Sequence, residues 1–85
     1  MEETFNMSVD LIKTMSKDLS KEELASVYKY YKQAKVGDIN INKPSFFNIK
    51  ENTKWEAWNS VKGLSKEKAM NEYINLSLKL YDKYK

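Results

Sequence analysis

Apolar residues recur at the spacing of an α-helix along most of this 85-residue chain. No segment alternates polar and apolar residues as a half-buried β-strand does. In the first segment, about residues 2–15, Phe5, Val9 and Ile12 lie at positions i, i+4 and i+7, which is one face of a helix. Only 2 Gly and 1 Pro interrupt the chain, so the pattern predicts an all-α fold in a single domain, residues 1–85.

A clear start signal for a second helix follows at Ser20. Ser20 and Glu23 have the spacing of a capping box, in which each side chain accepts a hydrogen bond from the other residue's backbone N–H. Leu19 and Leu24 flank this cap as a hydrophobic staple would. Gly37 is placed to end the helix, since glycine readily adopts the left-handed conformation found after a helix C-terminus.

The next 14 residues, Gly37–Lys50, contain the only Pro and two adjacent Phe, and they break the helical pattern. A third helix is expected at about Glu51–Lys62, closed by Gly63, and a fourth at about Ser65–Lys85. A long connection lets the second and third helices run parallel, so we expect a four-helix up-down-down-up bundle with one long crossing loop. The residues expected in its core are Phe5, Val9, Ile12, Val27, Trp55, Trp58 and Leu80.

Composition excludes several kinds of site. Without Cys or His there is no disulfide framework, no zinc cluster and no Ser-His-Asp triad. Carboxylate-bound Mg²⁺ or Ca²⁺ stays open, but no clustered acidic loop supports it, so we expect no metal and no cofactor. No apolar run approaches the ~18 residues of a membrane span, and we expect a cytoplasmic monomer with no signal peptide and no stable membrane insertion.

Two neighbouring groups of residues could bind a ligand that is both anionic and aromatic. Tyr28, Tyr31 and Lys32 lie at i, i+3 and i+4, which places two phenols and an ammonium group on adjoining turns of the second helix. Lys50 and Lys54 lie four residues apart, where a bound anion would offset their mutual repulsion. The net charge of +3, from 15 Lys and 12 acidic residues, mildly favours such a partner.

Tyr73 is a third candidate, in a stripe of the fourth helix that is otherwise apolar. Taken singly, each of these tyrosines is also typical of a half-buried core residue, and each lysine of a solvated helix face. From periodicity alone, the chain is a small helical bundle that tolerates anions.

Three segments resemble the acyl-CoA-binding protein family: Tyr31–Asn40 (YKQAKVGDIN) with the following Pro44, Lys54–Asn59 (KWEAWN), and Leu64–Met70 (LSKEKAM). The similarity continues in register over nearly the whole chain. It implies a non-catalytic intracellular carrier that binds medium- and long-chain fatty acyl-CoA esters one to one, in a four-helix fold.

The resemblance also implies which residues bind the ligand. Tyr28, Lys32 and Lys54 would hold the 3′-phosphate of the CoA ribose, and Tyr31 would pack against the adenine. Coenzyme A carries several negative charges, which lysines on separate elements can neutralise together.

The other implied contacts are Tyr73 near the nucleotide and Lys13 and Lys50 along the rest of the ligand. The acyl chain is expected between the second and third helices, touching Val9, Leu24 and Ala25. Each CH₂ buried there contributes about 0.8 kcal/mol.

The sequence departs from the family's common pattern at Ser45-Phe46-Phe47, where Gly followed by smaller apolar residues is usual, and at Glu51-Asn52, where Gly-Lys is commoner. We expect these changes to alter the preferred chain length and to weaken electrostatic attraction without abolishing binding.

Apart from the resemblance, the residues leave other functions open. A nucleic-acid-binding bundle would use the same Lys and Tyr residues, although the chain has no Arg to recognise guanine. A protein-interaction bundle would use the tyrosines as interface anchors. An enzyme is least expected, because nothing resembles an activated nucleophile.

Overall fold

The computed structural model describes all residues, Met1–Lys85. It contains four α-helices and no strand: α1 (Glu2–Met15), α2 (Lys21–Lys35), α3 (Ile49–Asn59) and α4 (Lys66–Tyr84), with a short 3₁₀ turn at Ser16–Asp18. The predicted all-α class is confirmed.

Side-chain caps start three of the helices. At α2 the capping box is complete, because Ser20 Oγ accepts from the N–H of Glu23 at 3.1 Å while the Glu23 carboxylate accepts from the N–H of Ser20 at 2.8 Å. Ser65 caps α4 by accepting from the N–H of Lys68 at 3.1 Å. After α2, Gly37 adopts a φ of +96°, which an L-residue rarely takes and which ends the helix as expected.

The predicted bounds of α3 are wrong at both ends. The helix begins at Ile49, two residues before Glu51, because the Asn48 side chain accepts from the N–H of Glu51 and so acts as the N-cap. It ends at Asn59 and not at Lys62, since the chain then turns through residues 60–63 to reach Gly63, which has a φ of +96°.

Contacts between helix ends establish the up-down-down-up order. Glu23, near the start of α2, contacts Lys83 and Tyr84 at the end of α4, so these two helices are antiparallel. Trp58, near the end of α3, donates a hydrogen bond to the carbonyl of Gly37 just past α2, so α2 and α3 run parallel. Phe5, early in α1, lies against Tyr31 in the second half of α2, which makes α1 antiparallel to α2.

The core lies between α1, α2 and α4, and α3 packs mainly against α2. The core is formed by Phe5, Ile12, Met15, Leu19, Ala34, Ala69, Tyr73 and Leu80. Of the residues expected there, Val9 and Val27 are only partly buried at its edge. Trp58 is 2% exposed, but Trp55 is not buried. The expectation for Trp55 is wrong because α3 has one packing neighbour and therefore buries only a narrow strip.

Candidate functional site

A groove of about 820 Å³ opens between α2 and the N-terminal half of α3. Its lining combines apolar, phenolic and ammonium groups. The lining residues are Lys21, Leu24, Ala25, Val27, Tyr28 and Tyr31 from α2, and Ile49, Lys50, Thr53 and Lys54 from α3.

Helical spacing explains why these residues share one surface. On α2, Lys21, Leu24, Tyr28 and Tyr31 follow one another at intervals of three or four residues, so they project from one face. Leu24 is 43% exposed, unlike the buried Leu19 with which it was expected to form a staple. Its side chain contributes to the groove wall instead.

Lysine ammonium groups lie close to aromatic rings along the interface between α2 and α3. The Lys54 Nζ lies 5.7 Å from the centroid of the Tyr28 ring, and the Lys32 Nζ lies 4.9 Å from the centroid of the Trp58 ring. Both distances fit a cation–π contact. Such an arrangement can attract an anion and stack a flat ring beside it.

Few acidic groups neutralise these lysines. Lys54 has one carboxylate partner, Glu51, at 3.7 Å, and that pair is exposed and therefore weak. Lys21, Lys32 and Lys50 form no ion pair. The groove therefore carries a local excess of positive charge.

Four of the seven predicted ligand-binding residues line the groove: Tyr28, Tyr31, Lys50 and Lys54. Lys32 lies at the same α2–α3 interface through its contact with Trp58. Lys13 is exposed on α1 and is not among the lining residues. Its part in binding stays a prediction.

Tyr73 is 2% exposed and does not line the groove. Its ring centroid lies 5.0 Å from that of Phe5 and 6.2 Å from that of Tyr31, so it supports a groove residue from behind. Burial raises the pKa of Tyr73 to about 12. The phenol therefore keeps its proton at neutral pH, and no hydrogen bond within the chain uses it.

Sequence reasoning missed four groove residues: Lys21, Val27, Ile49 and Thr53. Val27 was missed because it is predicted as a core residue only. The signal for Lys21 was available, since it precedes Tyr28 by seven residues, which is two helical turns. Ile49 falls in the predicted loop because the predicted start of α3 is two residues too late. Of the residues expected to touch an acyl chain, Leu24 and Ala25 line the groove and Val9 does not.

A second pocket, of about 680 Å³, lies where the turn after α3 meets α4, with Tyr30, Lys62, Gly63 and Glu72 among its lining residues. None of the seven predicted ligand-binding residues lines it. No group of three or more acidic side chains in the chain could hold a metal ion, and none of the four helices is long and apolar enough to span a bilayer.

Residues 2–77 match the family model described as acyl CoA binding protein. The chain belongs to the acyl-CoA-binding protein family. The resemblance inferred from the three sequence segments is therefore confirmed, and it extends over almost the whole chain.

Individual family members are similar in both sequence and structure. The chain is 38% identical over 82 residues to the acyl-CoA-binding protein of Gossypium hirsutum, a match that covers 96% of this chain and 92% of that protein. The crystal structure of acyl-CoA-binding protein 2 of Oryza sativa superposes with a TM-score of 0.93 at 38% identity, covering 96% of this chain and 89% of that one. The crystal structure of the family member from Moniliophthora perniciosa gives a TM-score of 0.91 at 36% identity, covering 98% and 82%.

Proposed function

We propose that the protein is a non-catalytic carrier that binds one molecule of a medium- or long-chain fatty acyl-CoA ester in the α2–α3 groove. One observation supports this proposal above the others: a chain of the acyl-CoA-binding protein family has a groove that combines ammonium, phenolic and apolar side chains. Lysines and tyrosines suit the charged nucleotide, and Leu24, Ala25 and Val27 suit an acyl chain. No cofactor is required for such binding.

The 3′-phosphate is proposed to bind to Tyr28, Lys32 and Lys54. The contact of the Lys54 ammonium group with the Tyr28 ring supports this assignment, because it brings a cation and a phenolic donor together. Lysine is a point charge with no fixed fork geometry. Selectivity for the phosphate then comes from the convergence of ammonium groups from two helices with one directional hydroxyl group.

The adenine is proposed to pack against Tyr31, with the Tyr73 hydroxyl group as a further donor. The ring cluster of Phe5, Tyr73 and Tyr31 supports this role, because it fixes the groove tyrosine from its buried side. Lys50 and Lys13 are proposed to contact the remaining anionic part of the ligand, and Lys21 is well placed to join them.

The acyl chain is proposed to lie on the apolar part of the groove, between α2 and α3. Each methylene group transferred there from water contributes about 0.8 kcal/mol. Affinity should therefore rise with chain length until the groove is filled. The proposal includes a monomer that acts in the cytoplasm and does not bind nucleic acid.

Isothermal titration of the delipidated protein with myristoyl-CoA tests the proposal, with free CoA and free myristate as controls. We expect tight one-to-one binding of the thioester, much weaker binding of CoA and negligible binding of the fatty acid. No heat with myristoyl-CoA, in a protein shown to be helical and monodisperse, would refute the proposal. A shift with an oligonucleotide or a dimer in ultracentrifugation would then favour the other two functions.

The phosphate assignment has its own test. Lys54→Ala removes a charged hydrogen-bond donor, worth about 1.5–3 kcal/mol, so affinity for myristoyl-CoA should fall roughly 10- to 100-fold. Lys79→Ala is the matched control, because Lys79 is an exposed lysine of α4 with no ion pair and no part in the groove. Equal affinities of the two variants would contradict the assignment.

A further inference from the structure

Two phenylalanines occupy the tip of a tight turn immediately before α3. The N–H of Asn48 donates to the carbonyl of Ser45 at 2.9 Å, which closes a four-residue turn with Phe46 and Phe47 at its centre. Their side chains are 76% and 82% exposed, and the two ring centroids are 4.2 Å apart. Central turn positions favour Gly, Asn, Asp, Pro and Ser, so a pair of solvent-facing aromatic rings needs a reason.

The turn is held in place by hydrogen bonds. The Asn52 side chain donates to the carbonyl of Pro44 at 3.2 Å and also to that of Ser45, and Ser45 Oγ accepts from the N–H of Phe47 at 3.3 Å. The rings are therefore displayed on an ordered support. Neither ring is among the residues that line the groove, so their exposure is not explained by the ligand site.

The nearest charged residues on either side of the turn in the sequence are lysines. Between Asp38 and Glu51 the only charged residues are Lys43 and Lys50, which flank the phenylalanines on either side. Lys50 forms no ion pair, and Lys43 pairs with Glu56 at 2.8 Å in an exposed and therefore weak contact. A projecting apolar tip with basic flanks is complementary to an anionic phospholipid surface, where rings enter the headgroup region and ammonium groups meet lipid phosphates.

We propose that the Ser45–Asn48 turn is a docking site for anionic phospholipid membranes, with Phe46 and Phe47 inserting among the headgroups. A second copy of the chain is a poorer partner, because its own basic flanks and net charge of +3 would repel. Two rings and a few lysines give weak, reversible contact, which is compatible with the absence of a spanning helix.

Docking of this kind would bring the groove to the lipid surface. Ile49 and Lys50 line the groove and directly follow the turn. An acyl chain could then pass between the bilayer and the groove with little exposure to water. This consequence rests on the proposed carrier function, whereas membrane contact itself does not.

Flotation of the ligand-free protein with phosphatidylcholine vesicles, with and without phosphatidylserine, tests the proposal. We expect binding to the anionic vesicles that weakens with added salt, because exposed charges are screened. The double variant Phe46→Ser/Phe47→Ser should lower the vesicle partition coefficient roughly tenfold, through loss of the inserted apolar surface. The matched control is Met7→Ser/Leu78→Ser, which removes two other exposed apolar side chains, 70% and 55% exposed, from α1 and α4. It should bind as the unmodified protein does.

Three results would overturn the proposal. One is equal vesicle binding by the Phe46→Ser/Phe47→Ser variant and the unmodified protein. Another is a dimer in sedimentation velocity that the same variant abolishes, which would make the turn a contact between copies. The third is a Phe46→Ser/Phe47→Ser variant that binds vesicles normally but has an altered acyl-chain preference in titrations without vesicles. That result would show that the two rings contact the ligand. Because the flotation uses no acyl-CoA, failure of the carrier proposal would leave its result interpretable.

Discussion

Helices α4 and α3 are attached to α2 in different ways. Between α2 and α4, side chains of the two helices hydrogen-bond directly at one end of the contact, and at the other end a side chain of α2 bonds to the turn just before α4. Glu23 accepts from Lys83 at 2.7 Å and from Tyr84 at 2.6 Å, and Gln33 at the far end donates to the carbonyl of Leu64 at 2.7 Å. Buried apolar residues fill the space between these two ends.

Between α2 and α3 there is no hydrogen bond from side chain to side chain. The hydrogen bonds of α3 to other elements all go to the connector, residues 36–48: Trp58 to Gly37, Trp55 to Ile41, and Asn52 to Pro44 and Ser45. The connector therefore holds α3 beside α2, and the groove lies between the two helices. The comparison teaches that one side of α2 stabilises the fold, while the other side leaves the space proposed for a ligand.

The largest expected effect concerns the one fully buried side chain of α3. Trp58→Ala would leave a cavity and remove the hydrogen bond to Gly37, so the free energy of unfolding should fall by about 3–5 kcal/mol. Urea denaturation followed by circular dichroism measures this loss. Hydrogen exchange should accelerate most in α3, because only its attachment is weakened directly.

Trp55→Ala is the control for that experiment. Its ring is only half-buried, although its Nε1 also donates to the connector, at the carbonyl of Ile41. A clearly smaller loss of stability is expected. Equal losses for the two variants would mean that hydrogen bonds to the connector, and not burial of Trp58, hold α3 in place.

The sequence predicts the helices that pack on the α4 side of α2 better than it predicts α3. The capping box of Ser20 and Glu23 and the burial of Phe5, Ile12 and Leu80 follow from local spacing and are predicted correctly. The start of α3 was not, because Asn48 lies in a polar loop and α3 has little apolar periodicity to mark its first turn. For that reason Ile49 is not among the residues predicted to contact the ligand.

Residues whose surroundings depend on distant packing were the hardest to place. Tyr28 and Tyr31 have their positions set by the spacing of one helix, and both line the groove. Tyr73 has comparable spacing on α4, yet Phe5 from α1 covers its ring. Local pattern cannot separate these cases, since it contains no information about which helix packs over which face.

A smaller effect is expected for Tyr73→Phe, which distinguishes a ligand-binding role of this hydroxyl group from a packing role. The Tyr73 hydroxyl group makes no hydrogen bond within the chain, so Tyr73→Phe should change the unfolding free energy by less than about 0.5 kcal/mol. If the hydroxyl group donates to the ligand, affinity for myristoyl-CoA should fall roughly 2- to 10-fold, the worth of one neutral hydrogen bond. Calorimetric titration and urea denaturation of the same variant measure the two quantities.

Tyr84→Phe is the matched control for Tyr73→Phe, and the opposite outcome is expected for it. The Tyr84 hydroxyl group donates to Glu23 on the side of α2 that faces α4. Its loss should lower the melting temperature and leave ligand affinity unchanged. An unchanged affinity in Tyr73→Phe as well would remove this hydroxyl group from the proposed ligand contacts.

The smallest expected effect is a pH-dependent one that tests the α2–α4 attachment. Hydrogen bonds from Lys83, Tyr84 and the N–H of Ser20 lower the pKa of Glu23 from 4.5 to about 2. A carboxylate with a lowered pKa stabilises the folded state at pH values above its ordinary pKa, and this stabilisation is lost as the pH falls from about 4.5 to about 2. Because Lys83 is largely exposed, solvent screening keeps the contribution modest.

Glu23→Gln keeps the shape and the acceptor oxygen of this side chain but does not titrate. The variant should therefore be less stable than the unmodified protein at neutral pH, and the two stabilities should converge as the pH approaches 2. Thermal denaturation across this pH range measures the difference. A constant difference at all pH values would show that the carboxylate charge does not contribute, and that the attachment of α4 to α2 depends on packing and neutral hydrogen bonds.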